Sequence, residues 1–314
     1  MSQFVSVEQV ENNDKFYLKN LQRISSNSQF FYRNIKYVGR GGSGTTFRVV
    51  CEKGDYVGSE FALKVFYRVS DNTRRRRFLK EISVLQSLNH PGIIKLFDLG
   101  TYNARENNYP FMIVEFIPDS IRDLLTKGEI SRLKAIRVGL QVLSALNYIH
   151  TREKPIIHRD IKPENILVSD DLVKLADFGL IREFEEGVTE SDGAVAPTKV
   201  PAMPFRYRTP DLIKHHVDNV PPTTASDIYQ FGLVLYELLT GWNPQKPTVN
   251  ILDPIELTSL RIQGLEGDKL VTLIEHMLQE KPGDRPTAAE CNERLMEIYL
   301  SIQQKNVELY GITG

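Results

Sequence analysis

His158-Arg159-Asp160-Ile161-Lys162-Pro163-Glu164-Asn165 is the stretch whose reading decides what this chain is. Charged and amide side chains crowd into it, yet it lies between two segments built for burial. Before it, Leu133 to His150 carries apolar residues all round, the signature of a buried helix. After it, Ile166-Leu167-Val168 is a β-run. An aspartate with a lysine two places on and an asparagine five places on is a pattern of fixed positions that chance rarely produces.

Outward from this loop the chain changes character. Residues 1–34 are polar, rich in Asn, Gln and Ser, and read as an extension with one amphipathic helix expected around Val7 to Leu21. From Ile35 come short β-rich runs: Ile35 to Val38, Thr45 to Val50, Phe61 to Phe66 and Phe111 to Glu115. A helix interrupts them, Arg74 to Leu88, with apolar positions at Phe78, Ile82, Leu85 and Leu88. After Pro118 the periodicity turns helical, in Leu133 to His150, Ile228 to Leu239 (ended by Gly241), Leu270 to Leu278 and Ala288 to Leu300. The expectation is an α+β architecture. A small strand lobe (35–117) would precede a larger helical lobe (118–300), with a cleft between them and residues 301–314 as a tail.

Composition narrows the class. The 314 residues suffice for one large domain or two lobes. Net charge is -1, from 39 basic against 40 acidic residues, so no overall field gathers nucleic acid or an acidic membrane surface. Two distant cysteines, Cys51 and Cys291, make neither a disulfide scaffold nor a zinc site and read as small buried hydrophobes. No run approaches the ~20 apolar residues that span a bilayer. The start, Met1-Ser2-Gln3-Phe4, lacks a basic, then apolar, leader and the glycine that myristoylation requires. A soluble, cytoplasmic protein is expected.

Gly39-Arg40-Gly41-Gly42-Ser43-Gly44 fits G-x-G-x-x-G between two strands. A dinucleotide-binding turn of that spelling must open a helix. Here Thr45 to Val50 continues as a strand, so the helix N-terminus that would bind pyrophosphate is missing. An ordinary glycine-rich hairpin stays open on this motif alone. Lys64, in Phe61-Ala62-Leu63-Lys64-Val65, would by itself be a solvated strand lysine, but Glu81 follows in the next helix. The run Arg74-Arg75-Arg76-Arg77 opens that helix, as a solvated face or as a fork for phosphate or an acidic partner.

Twelve residues past Asn165 stands Asp177-Phe178-Gly179. With it, the motifs over about residues 35 to 300 resemble the Hanks-type serine/threonine protein kinase family, bacterial stand-alone members included. The resemblance implies a bilobal fold with an ATP cleft and an activity that moves the γ-phosphate of ATP onto protein hydroxyls. It places Gly39 to Gly44 over the phosphates and Lys64 on the α- and β-phosphates, oriented by Glu81. Asp160 would accept the substrate hydroxyl proton, and Lys162 would neutralise the transferring group. Asn165 and Asp177 would hold Mg²⁺, for which Mn²⁺ could substitute. Val38, Thr46, Ala62, Leu167 and Ala176 would line the adenine slot. Val114 would be a small gatekeeper, and Glu115 and Ile117 would offer backbone groups to the purine. Phe178 would pack inward, aligned with Leu85, Leu96 and His158.

The chain departs from the family in places. Thr46 replaces a usual valine, and Thr209-Pro210-Asp211 stands for Ala-Pro-Glu, leaving Asp211 one methylene shorter for pairing with Arg285. Asp227 matches the aspartate that supports the catalytic-loop backbone. No Gly-Thr precedes the substrate-facing loop; Met203-Pro204-Phe205-Arg206-Tyr207 occupies that stretch. Its proline resembles tyrosine kinases, whereas Lys162 and Pro163 resemble serine/threonine kinases. The catalytic loop carries more weight, and dual specificity stays open. Thr189, Ser191 and Thr198 are phosphorylation candidates, with Arg159 as receiver. Glu183, Glu185, Glu186, Glu190 and Asp192 could stand in for phosphate there. Protein substrates and transient self-association for autophosphorylation follow from the resemblance. Two other classes are a pseudokinase scaffold, against which every catalytic charge is present, and a small-molecule kinase of the aminoglycoside or choline type, which usually lacks this loop spacing.

Overall fold

A computed structural model describes residues 16–41, 44–104, 107–128, 130–180, 182–183, 205–218, 221–250 and 252–310. The chain forms two compact units. One holds the residues up to Asn89 together with Ile93–Pro118 and Asp177–Gly179; the other holds His90–Gly92, Asp119–Ala176 and the residues from Leu180 on.

Among the described residues, the first unit is a six-stranded antiparallel sheet with one helix. Its strands are β1 (Arg23–Ser25), β2 (Phe31–Gly41), β3 (Gly44–Lys53) and β4 (Glu60–Val65), then, after helix α1 (Asn72–Ser87), β5 (Leu96–Ala104) and β6 (Asn107–Glu115). They pair in the order β1-β2-β3-β4-β6-β5. Register puts Phe47, Leu63 and Ile113 opposite one another, and Thr46, Lys64 and Met112 likewise one residue away. Because side chains alternate faces along a strand, the two sets point to opposite sides of the sheet. Asp71 caps α1 by accepting from Arg74 N–H at 3.0 Å, and the helix buries Phe78, Glu81, Ile82, Val84 and Leu85.

The N-terminal extension needs correction. The sheet begins at Arg23, not Ile35, and residues 16–21 are not helical; residues 7–15 of the expected helix lie outside the described residues. Phe16, Leu18, Ile24 and Tyr32 join the core on the Phe47–Leu63–Ile113 face of the sheet. The Phe16 ring lies 4.9 Å from Tyr109, 5.9 Å from Tyr102 and 6.3 Å from Phe47. Buried Asn34 holds the strap down, donating to Lys19 O at 3.0 Å and Leu18 O at 3.3 Å. The physical cause is the exposed apolar face that β3, β4 and β6 would otherwise leave.

The second unit is mainly helical. It runs through β7 (Asp119–Ser120), α2 (Ile121–Lys127), α3 (Arg132–His150), β8 (Ile156–Ile157), β9 (Ile166–Ser169), β10 (Leu172–Leu175), β11 (Arg182–Glu183), α4 (Pro210–Asp218), α5 (Thr224–Thr240), α6 (Gly267–Met277) and α7 (Ala288–Tyr310). Helix α3 packs on α5 and α7. A Cβ at Gly139 would come within 2.7 Å of Leu295 and 3.3 Å of Leu235, so glycine is what lets these helices approach. Gly241 ends α5 in the left-handed conformation, φ 75°. The expected tail is corrected in its first part: α7 continues through Tyr310. Ile302 is buried, and Glu266 holds Ser301 and Lys305; residues 311–314 lie outside the described residues. Cys51 and Cys291 are both buried and free.

Candidate active site

In the sheet unit the charges gather on Lys64. Its Nζ lies 2.7 Å from Glu81 Oε1 and 3.1 Å from Asp177 Oδ1. The ammonium is 13% exposed and Glu81 only 1%. Burial acts to lower the Lys64 ammonium, but the charges of Asp177 and Glu81 outweigh it and hold it well above the ordinary lysine range. Burial pushes the Glu81 carboxyl up to about 7, with Lys64 acting against it. Asp177 adopts φ 60°, a left-handed conformation costly for a non-glycine residue, and Phe178 beside it is fully buried. The glycine stretch is a hairpin in which Gly39 pairs with Thr46, Arg40 with Thr45 and Gly41 with Gly44. A Cβ on Gly44 would sit 2.6 Å from the Val65 carbonyl oxygen, so no other residue fits there. Gly42 and Ser43 lie outside the described residues.

In the helical unit the catalytic-loop candidates converge on one carboxylate. Lys162 Nζ is 2.8 and 3.0 Å from the two oxygens of Asp160. Asn165 Nδ2 donates to Asp160 Oδ2 and to Asp160 O, both at 2.8 Å. The loop backbone is anchored from α5: Asp227 accepts from His158 N–H and Arg159 N–H, each at 2.8 Å, and lies 2.9 Å from His150 Nε2. These bonds pin Arg159 at φ 67°, a second left-handed non-glycine position. Such strain persists where the surroundings over-determine it.

A sequence model described as "Protein kinase domain" matches residues 32–295. The chain belongs to the protein kinase family. Among curated relatives, it is 31% identical over 234 residues to serine/threonine-protein kinase PknB of Mycobacterium tuberculosis, covering 71% of this chain and 36% of that one. It is 27% identical over 285 residues to a putative mitogen-activated protein kinase kinase kinase 7-like protein of Drosophila melanogaster, covering 85% and 66%. A probable serine/threonine-protein kinase of Dictyostelium discoideum is 31% identical over 277 residues, covering 85% and 24%. The chain thus spans about a third of the length of the PknB proteins it matches.

Within this kinase domain the adenine-slot candidates divide between the units. Thr46, Ala62 and Val114 lie on the Lys64 face of the sheet, Ala62 and Val114 as direct partners across β4 and β6. Val38 is exposed at a register shift in β2, and Ile117 is buried. Glu115 N–H donates to Lys95 O at 3.1 Å. In the helical unit, Leu167 is half-buried and Ala176 N–H donates to Asn165 O at 2.9 Å. Asp211 reaches Arg285 Nη1 at 2.7 Å despite its shorter arm and also accepts from Ser226. Thr189, Ser191, Thr198, Glu185, Glu186, Glu190, Asp192, Met203 and Pro204 lie outside the described residues.

Several site-forming residues were invisible in the motifs. Arg122 on α2 donates from Nε to Glu164 at 2.8 Å, from Nη1 to Glu237 at 2.8 Å and from Nη2 to the Tyr207 hydroxyl at 2.5 Å. Burial works to lower the guanidinium, but the Glu237 and Glu164 hydrogen bonds raise it. Gln230 bonds the catalytic loop and Tyr207 from α5. The available signal was polar Asp227, Gln230 and Glu237 recurring on one side of an otherwise apolar helix.

Proposed function

We propose that this chain is an ATP-dependent protein kinase that transfers the γ-phosphoryl group of ATP to serine and threonine hydroxyls of proteins, itself among them. The observation that carries the reading is the Asp160 carboxylate, held between the Lys162 ammonium and the Asn165 amide. In this reading the acceptor hydroxyl gives its proton to Asp160 and its oxygen bonds to the γ-phosphorus. The bond from that phosphorus to the β–γ bridging oxygen breaks, and ADP leaves with the electron pair. Lys162 sets a positive charge against the group in transfer. Lys64, oriented by Glu81, does the same for the α- and β-phosphates.

Protein kinases use ATP with a divalent metal, whose chemistry is to neutralise phosphate charge and template the phosphates. The amide oxygen of Asn165 and the carboxylate of Asp177 are the hard donors that Mg²⁺ takes, and Mn²⁺ accepts the same set. Among the described residues no three His, Cys, Asp or Glu gather as a protein-only cage. Asn165 and Asp177 are the residues that would each offer a donor to the ion. Among the described residues, too, no helix is long and apolar enough to cross a membrane. The cytoplasm, where ATP and protein acceptors meet, is the proposed place of action, with transient self-association for autophosphorylation.

The test is incubation of purified protein with radiolabelled ATP, Mg²⁺ and a generic protein acceptor, followed by phosphoamino-acid analysis. Phosphoserine and phosphothreonine are expected. Phosphotyrosine alone would reject the assignment, and phosphotyrosine beside them would establish dual specificity. ATP binding with no labelled protein would replace catalysis by a scaffold role. Label on an aminoglycoside or choline instead of protein would point to a small-molecule kinase.

A further inference from the structure

Helix α5 is buried on all sides from Ser226 to Leu238, and Gln230 within it is fully buried. A carboxamide there costs free energy unless its donors and acceptor are met. They are met outside the helix. Gln230 Oε1 accepts from Ile161 N–H at 3.0 Å; Nε2 donates to Tyr207 O at 2.9 Å and to Arg159 O at 3.3 Å. Ile161 and Arg159 are the two residues that flank Asp160. Leucine or methionine would fill the same space with no polar group to satisfy, so filling the core does not account for glutamine.

Other bonds seat the Tyr207 end of this bridge. Asn243 Nδ2 donates to Arg206 O at 3.1 Å, Arg122 and Glu237 meet the Tyr207 hydroxyl, and fully buried Arg208 donates to Asn250 O and Thr248 Oγ1 at 2.8 Å each. Residues 206–208 are therefore a fixed rail. Gln230 is the side chain that joins this rail to the backbone on both sides of Asp160.

We infer that Gln230 is a positioning residue that sets the register of residues 206–208 against Asp160. The placement of an acceptor protein beside the general base then depends on it. The inference rests on the proposed kinase activity, in which this stretch faces the acceptor. The bridge has two separable halves. Gln230→Glu keeps an oxygen for Ile161 N–H but puts a second oxygen against the Tyr207 and Arg159 carbonyls. Gln230→Met keeps the volume and loses every bond.

The experiment is steady-state kinetics of the full chain and both variants, with an acceptor peptide phosphorylated by the wild type. Acceptor-free ATP hydrolysis and Tm are measured alongside. For Gln230→Glu the expected result is an acceptor KM raised about tenfold or more, the scale of one lost buried hydrogen bond. Its ATP KM should change less than its acceptor KM, because its Ile161 bond remains. Gln230→Met should show the same KM defect and also a lower kcat. An unchanged acceptor KM in a folded variant would overturn the inference and leave the kinase reading intact. Equal losses in every parameter, tracking Tm, or failure of both variants to fold, would also overturn it, making Gln230 a general stability residue. A wild type no more active than Asp160→Ala would instead defeat the kinase reading itself.

Discussion

Lys64 sits between two carboxylates of unlike exposure, Glu81 at 1% and Asp177 at 36%. The buried partner bears the consequence when the lysine is lost. Burial already pushes the Glu81 carboxyl up to about 7 with the ammonium in place. In Lys64→Met that opposition vanishes, so the folded state holds a proton on Glu81 that the unfolded state, near 4.5, gives up. A raised folded pKa stabilises below the unfolded value and the benefit disappears as pH rises through the folded one. Wild type and Lys64→Met should therefore lose stability alike from about pH 4.5 to about 7, and above about pH 7 the variant should go on losing stability relative to wild type. Glu81→Gln added to it should remove that slope. Thermal unfolding of both variants across this range is the check; a Lys64→Met curve parallel to wild type above about pH 7 would contradict the account. Phosphoryl transfer by Lys64→Met should fall about 10²-fold or more.

At the scale of elements, the two chain ends depart most from the sequence reading. Phe16 and Leu18 lie in irregular chain that takes its conformation from the sheet face it covers, and Ile24 sits in a strand of only three residues, too short to show an alternation. Phe16→Ala should cost about 3–5 kcal/mol in urea unfolding. A loss below about 1 kcal/mol would mean the strap is not part of the folded unit. Strand β5 was missed because Asp98 and Gly100 break its apolar pattern. Asp98 is buried all the same, accepting from the Tyr32 hydroxyl at 3.1 Å and the Ser28 hydroxyl at 3.0 Å. The last turns of α7 are polar in sequence and are fastened by Glu266, whose carboxyl Lys269, Lys305 and Ser301 hold down to about 2. A lowered folded pKa stabilises above about 4.5 and the benefit is lost as pH falls toward 2. Glu266→Gln should melt below wild type at neutral pH, and the gap should close on acidification; a gap constant with pH would contradict the tether.

Across the whole molecule, legibility followed contiguity. Residues 158–165 and Asp177-Phe178-Gly179 could be read because their chemistry is packed into consecutive positions, and Lys64 with Glu81 only through the family resemblance that those motifs carried. Arg122, Gln230 and Glu237 could not, since each is one polar residue whose partners are distant in sequence. The same separation explains Asp211. Its arm is one methylene shorter than the usual glutamate, yet it pairs with Arg285 as the sequence allowed, and Ser226 shares its carboxylate. The central claim is that Asp160 serves as the proton acceptor in phosphoryl transfer to protein. The most direct measurement is the time course of radiolabel from ATP onto an acceptor protein by wild type and by Asp160→Ala, both shown folded by thermal unfolding. The account predicts label that accumulates with wild type and falls by about 10²-fold or more in the variant. Equal rates from the two proteins would contradict it.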